Sequence, residues 1–415
     1  MIKNAYIPRY LSQTVLEISK SFPVVLITGA RQVGKTTLFQ HTENSQKDRP
    51  SLKHRLVSLD EFGPRTEAKR DPSLFFQKYP GPLFIDEVQY APELFSPMKF
   101  IVDRDKIQGQ YWLTGSQQFH MWRNVSESLA GRVGILRLLG LSLAEKLKAP
   151  YKSLPWTPKR ELMLNPVKIS LFDLFGQIIR GSFPRLFQQD PPALDAYYGA
   201  YIQTYIDRDL RDFLKAASLP SFEKFVRVCA ARTAGILNLT DLARDSAISV
   251  ATAKQWLGLL EMGGHIFLLY PYANNRIKRL VKAPKLYFLD TGLVSYLTGW
   301  REVETTMRGA FAGQLYETFV VSEILKSYYN RGLEPRIYYY RTKEKAEIDV
   351  LLERDGQIMP VEIKLAQEIN PSDIQTMTQL RKLGLPIGKG AVIAPVNSPY
   401  PVDRDILVLP PTEIS

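Results

Sequence analysis

Gly29-Ala30-Arg31-Gln32-Val33-Gly34-Lys35-Thr36 follows the apolar run Val24-Val25-Leu26-Ile27-Thr28 and leads into Thr37-Leu38-Phe39-Gln40. The spacing satisfies G-x4-G-K-[ST] in the strand-loop-helix setting that a phosphate loop requires. Backbone amides of the loop and of the helix start at Thr37 are placed to cradle phosphate oxygens. Lys35 reaches the terminal phosphates and the Thr36 hydroxyl holds Mg2+, so ATP and Mg2+ are the expected cofactors.

Working outward, Pro82-Leu83-Phe84-Ile85-Asp86-Glu87 is an apolar strand ending in two carboxylates, which a parallel sheet brings to its carboxyl edge. Asp86 is expected to bind Mg2+ through water, and Glu87 to orient and deprotonate the attacking water. Another strand ends Trp112-Leu113-Thr114-Gly115-Ser116, which sets Thr114 near the γ-phosphate or the attacking water. Arg132, in Leu129-Ala130-Gly131-Arg132-Val133, is either an arginine finger toward a neighbouring subunit in a homo-oligomer or a surface arginine. Short apolar runs at Val24 to Thr28, His54 to Leu59, Pro82 to Asp86, Gln110 to Thr114 and Val133 to Leu138 alternate with helix-like stretches. That alternation predicts an α/β fold of βαβ units around a largely parallel sheet.

The 415 residues are enough for two to four domains. A proline-rich, charged stretch from Ala149 to Arg160 cannot continue a helix and sets the first boundary. Three regions are expected: 1–148, 149–300 and 301–415. With 45% hydrophobic and 23% charged residues, disordered and collagen-like chains are excluded. The net charge of +12 suits acidic partners such as DNA. Cys229 is the single cysteine, which rules out a disulfide framework within the chain. His41, His54, His120 and His265 are too scattered for a metal cluster. No apolar run approaches the roughly 18 residues of a membrane span and the start lacks a signal-peptide core, so a cytoplasmic protein with no membrane partner is expected.

In the middle region, Leu237 to Glu261 reads as a helix-turn-helix with Thr240 and Ser249 as the two N-caps. Leu242, Ala243, Ile248, Val250, Ala253, Leu257 and Leu260 form its apolar face. Ala251, Thr252, Lys254 and Gln255 are left to face outward on the second helix, where a DNA reader places its contacts. Tyr270 to Lys285 then supplies Arg276, Lys278, Arg279, Lys282 and Lys285, two tyrosines and no acid, a wing suited to a phosphate backbone. The competing reading is a structural module with a solvated basic hairpin.

Further on, Asp355-Gly356 is a favoured two-residue type I′ turn. It pairs Arg354 with Gln357, which sets Asp349 opposite Glu362 and Glu347 opposite Lys364. Alternation puts these four on one face and Ile348, Val350, Leu352, Val361 and Ile363 on the other. Two carboxylates opposed at about 5 Å repel unless a cation intervenes, and Mg2+ with substrate phosphate oxygens answers that need. Asp349 and Glu362 are thus expected metal ligands, Glu317 on the preceding helix adds a third, and Lys364 positions the attacking water. The competing readings are a solvated strand face or a degenerate nuclease fold kept for binding.

The runs Gly29 to Thr37, Leu83 to Gln89 and Leu129 to Val133, with Arg180 to Arg185, Tyr205 to Asp212 and Pro284 to Leu293, resemble a group of bacterial and archaeal AAA-type ATPases. The partner region of that group is called domain of unknown function 4143, and the resemblance covers nearly the whole chain. It implies an AAA-type P-loop core, a middle helical and winged-helix-like region, and a C-terminal restriction-endonuclease-like α/β fold. The spacing D-x12-E-x-K from Asp349 is similar to the nuclease motif of that last fold. Two functions follow as expectations. One is an Mg2+-dependent ATPase coupled to DNA binding and metal-dependent DNA cleavage. The other is a nucleotide-switched regulatory scaffold whose inert nuclease-like domain binds a protein partner.

Overall fold

Val24–Thr28 (β1), Arg55–Ser58 (β2), Leu83–Asp86 (β3), Tyr111–Gly115 (β4) and Val133–Arg137 (β5) form a parallel sheet in the order β2-β3-β4-β1-β5. All five match the strands expected from sequence to within one residue at each end. Every residue of β1 is buried, as befits a central parallel strand with both faces covered. The computed structural model describes residues 6–45, 53–115, 128–158, 167–209, 219–273, 283–342, 344, 346–381 and 384–414.

Helices Leu11–Ile18 (α1), Lys35–Ser45 (α2), Phe62–Arg70 (α3), Pro72–Lys78 (α4) and Phe95–Asp105 (α5) flank this sheet. Alternate strand residues feed two separate cores. Val24, Leu26, Ile85 and Leu113 pack with Phe75, Phe95 and Met98 on one face. Val25, Ile27, Phe84 and Trp112 pack with Leu38 and Phe39 on the other, in a core that continues into the rest of the chain.

Leu143–Lys146 (α6), Leu171–Arg180 (α7), Leu194–Asp209 (α8) and Leu219–Ala231 (α9) come next. Gly235–Ile236 (β6), Leu239–Ser246 (α10), Val250–Met262 (α11), Ile266–Leu269 (β7) and Lys285–Phe288 (β8) then form a helix-turn-helix against a small antiparallel sheet ordered β6-β8-β7. Ser249 caps α11 through the Thr252 amide, as expected. Asn238 caps α10 in place of Thr240: its side chain accepts from the amides of Thr240 and Asp241, which draws Thr240 into the first helical turn. Val250 leaves the expected apolar face and is 45% exposed, because it is the first residue of α11, at the surface.

His265, just before β7, is buried, and burial pushes its pKa down to about 4. In the unfolded chain a histidine titrates near 6.5. A folded value below the unfolded one means stability that is complete above pH 6.5 and drains away as pH falls toward 4, by about 3 kcal/mol. Melting temperature followed from pH 7 to 4 should therefore fall, and the fall should be shallower in His265→Gln. Parallel curves for the two proteins would show that another group governs acid sensitivity.

Thr291–Thr298 (α12), Val303–Arg308 (α13) and Ala312–Tyr329 (α14) lead to Ile337–Arg341 (β9), Glu347–Arg354 (β10), Gln357–Ile363 (β11), Gln375–Leu380 (α15), Gly390–Ile393 (β12), Tyr400–Asp403 (β13) and Ile406–Leu409 (β14). These six strands make a mixed sheet in the order β13-β14-β12-β11-β10-β9. The β10-β11 hairpin has the register read from sequence, with Arg354 opposite Gln357 and Val350 opposite Val361. Asp355 and Gly356 both have positive φ, 52° and 75°, as a type I′ turn demands. Ile348 departs from the expected face and packs with Leu351 and Ile358, because the pairing of β10 with β9 shifts register between Ile348 and Leu351. In α14, 15 of 18 residues are buried, so this helix is enclosed on all sides. Among the described residues no helix is long and apolar enough to cross a membrane.

Candidate functional site

The strand order decides the site. β4 lies between β1, which carries the phosphate loop, and β3, which carries Asp86, so Thr28, Thr114 and Asp86 reach the same carboxyl edge side by side. Gly29 has φ 153°, and a β-carbon there would lie 2.2 Å from the Leu138 carbonyl oxygen, so only glycine opens the loop. Lys35 starts α2 and its Nζ donates to the carbonyls of Gly29 and Ala30, at 3.1 and 3.0 Å. Ala30, Val33 and Gly34 complete the loop, while Arg31 Nη2 donates to the Tyr90 hydroxyl at 3.5 Å.

Thr36 Oγ1 donates to Asp86 Oδ1 at 2.7 Å, and Thr114 Oγ1 donates to the same oxygen. The Glu87 amide in turn donates to Thr114 Oγ1 at 3.1 Å. Thr114 therefore ties the two acids together rather than projecting alone. Burial raises the Asp86 pKa and the neighbouring Glu87 charge adds to this, while the two threonine hydrogen bonds and Lys35 act in the opposite direction. Glu87 sits in the left-handed region at φ 58°, and Gln89 Nε2 donates to its Oε2. A non-glycine residue held there is backbone strain of the kind that collects at functional sites.

Three contacts that the motif does not announce complete this end of the molecule. Arg9 Nη1 donates to the Val33 carbonyl at 2.9 Å while Arg9 Nε bonds Glu145 Oε1 at 3.1 Å, both side chains being buried. The Tyr197 hydroxyl on α8 donates to Gln32 Oε1 at 2.7 Å. A cavity of about 170 Å3 beside the loop is bordered by Gly34, Thr37, Pro184 and the stacked rings of Tyr6 and His41, whose centroids are 3.6 Å apart.

Arg132 lies at the amino end of β5, the sheet edge opposite the phosphate loop, and its guanidinium grips Asp103 at 2.5 and 2.8 Å. It does not join the other predicted residues. On α11, Lys254 and Gln255 are exposed as expected, whereas Thr252 is half-buried with its hydroxyl 2.8 Å from that of Ser249. Arg276, Lys278 and Arg279, like Ser116, lie outside the described residues.

The second predicted site gathers its residues around a cation that the sequence assigned elsewhere. Lys285 on β8 is buried, not part of an exposed basic wing. Its Nζ lies 3.0 Å from Glu317 Oε1, 2.6 Å from Glu347 Oε1 and 3.4 Å from Asp349 Oδ1. The Tyr287 hydroxyl also donates to Glu317, at 2.6 Å. Glu347 thus pairs with Lys285, and with Arg341 at 3.6 Å, while Lys364 pairs with Glu362 at 3.0 Å. Burial and the Asp349 charge push the Glu317 and Glu362 carboxyls upward. The expected ligand set of Glu317, Asp349 and Glu362 does not fit a metal in this geometry. An ammonium already stands between Glu317 and Asp349, and Glu362 is paired with Lys364.

A buried lysine at the head of an apolar strand, in Pro284-Lys285-Leu286-Tyr287-Phe288, was the available signal for this contact. The basic run before it obscured that signal.

Comparison with known proteins fits this architecture. Residues 21–147 match the family described as AAA domain, and residues 312–414 match domain of unknown function 4143. Residues 171–304 match domain of unknown function 8612. The chain thus joins an AAA-type P-loop ATPase domain at its N-terminus to domain of unknown function 4143 at its C-terminus. Uncharacterized protein Rv2008c of Mycobacterium tuberculosis is 27% identical over 396 residues, which is 94% of this chain and 81% of that protein. Uncharacterized protein Mb2031c of Mycobacterium bovis is similar to the same extent. Among solved structures, the Walker-type ATPase PABY2304 of Pyrococcus abyssi is similar at 14% identity and a TM-score of 0.36, over 69% of this chain and 94% of that one.

Proposed function

We propose that the chain is an Mg2+-dependent ATPase that reports its nucleotide state to a DNA-binding middle region. The observation that carries the ATPase reading is the hydrogen-bonded set Thr36-Asp86-Thr114-Glu87 at the carboxyl edge, one strand away from the phosphate loop. Thr36 and Asp86 offer hard oxygen donors 2.7 Å apart, a fit for Mg2+, which keeps most of its waters and takes few protein ligands. When bound, Mg2+ neutralises charge on the phosphate oxygens.

The chain's own residues do the rest. Loop amides and Lys35 hold the β- and γ-phosphates, and Glu87 takes a proton from water as its oxygen attacks the γ-phosphorus. The bond to the β-phosphate oxygen breaks in line and ADP leaves with that electron pair. The cavity beside Gly34 suits the base, with the Tyr6-His41 stack and Pro184 as walls. Tyr197 on Gln32 gives the middle region a direct hold on the loop. Purified protein should release phosphate from ATP in Mg2+ and not in EDTA. Turnover that persists in EDTA, or in Asp86→Ala, would overturn this reading.

DNA binding is read from the helix-turn-helix, with Lys254 and Gln255 exposed on α11. Changing Arg276, Lys278 and Arg279 together to Ala should lower the log-log salt slope of DNA affinity by about three, one per lost phosphate contact. An unchanged slope would favour a structural module.

A second reading, a nucleotide-switched scaffold whose nuclease-like domain is inert and holds a protein partner, is favoured by one observation: Lys285 inside the carboxylate cluster.

A further inference from the structure

We propose that the ammonium of Lys285 is the resident cation of the C-terminal carboxylate cluster, an electrostatic latch that clamps β8 onto α14 and β10 and shuts the cluster to divalent metal. The proposal deepens the scaffold reading and rests on it.

Three carboxylates, Glu317 from α14 and Glu347 and Asp349 from β10, converge on one nitrogen at 3.0, 2.6 and 3.4 Å. An ammonium has three donors and no acceptor, so it satisfies one oxygen from each. Its side chain is 4% exposed, so solvent does not share the task of neutralising the three acids. A divalent ion entering among the same oxygens would stand at contact distance from a buried positive charge, and Mg2+ further requires near-octahedral room for its waters. Metal entry and lysine docking are therefore mutually exclusive.

The backbone of Lys285 is fixed in the sheet by pairing with Leu269 on one side and Ile236 on the other. The latch thereby ties the carboxylates of α14 and β10 to the small sheet on which the helix-turn-helix rests.

The test uses the full chain, without nucleotide, and Mn2+ as probe, with bound ion counted by calorimetry or by loss of the free-ion magnetic resonance signal. The parent and Asp349→Asn should give the same isotherm, because the parent has no site there. Lys285→Met should gain one Mn2+ per chain, lost again in Lys285→Met with Asp349→Asn. If the bare Lys285→Met fails to fold, Lys285→Met with Glu317→Gln removes one charge of each sign and should show the same gain. An Asp349-dependent Mn2+ site in the parent overturns the latch, as does a folded lysine variant that gains none. Incubating the parent with plasmid and Mn2+ separates this from the wider reading. Asp349-dependent nicking overturns the latch and the inert domain together, whereas Mn2+ binding without nicking overturns the latch alone.

Discussion

Lys35→Ala should abolish ATP binding, whereas Glu87→Gln should leave ATP bound and slow its hydrolysis by about 10^2 to 10^4, the range of a lost general base. The two residues are expected to act at different moments. In the proposed reaction Lys35 holds phosphates that are present in the ground state, so its loss should show in affinity; Glu87 acts on the water as it attacks, so its loss should show in turnover. Lys35 also bonds two carbonyls of its own loop, at Gly29 and Ala30, and its removal loosens the cradle as well as emptying it of charge. Titration with a fluorescent nucleotide and measurement of phosphate release separate the two effects. Glu87→Gln turning over at the parental rate would place the base elsewhere, and Lys35→Ala binding ATP at parental affinity would remove the loop from the site.

Arg9→Met is the second change with a large expected effect. Arg9 is 5% exposed and holds four partners: Glu145, the Val33 carbonyl, and the carbonyls of Leu139 and Gly140. Removing one member of a buried ion pair strands the other charge, at a cost of about 3–5 kcal/mol. Glu145 is the residue stranded, and it also accepts from the amides of Tyr10 and Ser142. Melting temperature should fall steeply, and ATP affinity should fall with it because Val33 belongs to the phosphate loop. The double change Arg9→Met with Glu145→Gln should recover part of the melting temperature but not the affinity. A single variant that melts like the parent would show that the network is not a support of the loop.

Local signals in the sequence were enough for much of this. The five parallel strands, the phosphate loop and the β10-β11 register all depend on residues within a few positions of one another, where periodicity and turn chemistry act. Asp355-Gly356 fixes its hairpin without help from the rest of the chain. The α10 cap lies two residues before the one expected from sequence because Asn238 and Thr240 are both competent, and only the backbone course into the helix chooses between them. Long-range pairings were hidden for a different reason. Lys285 meets Glu347 and Asp349 more than 60 positions away, and Arg9 meets Glu145 across the whole ATPase sheet. Charge alone makes Lys285 look like part of a solvated wing, since the basic run before it masks its place at the head of an apolar strand.

Helix α14 has a practical consequence for anyone who wishes to divide this chain. Near its start Glu317 receives Lys285, while two turns later Glu323 accepts from the Leu143 amide and Lys326 donates to the Leu141 carbonyl, just beyond the ATPase sheet. One buried rod is thus shared property, and its apolar residues Val320, Val321, Ile324 and Leu325 belong to the same core as Ile27 and Leu38 beside the phosphate loop. A polypeptide shortened at residue 300 would lose that filling and bare the apolar surfaces packed against it. Neither half is a self-sufficient piece, and attempts to assay the ATPase or the C-terminal sheet in isolation should yield aggregates rather than modules.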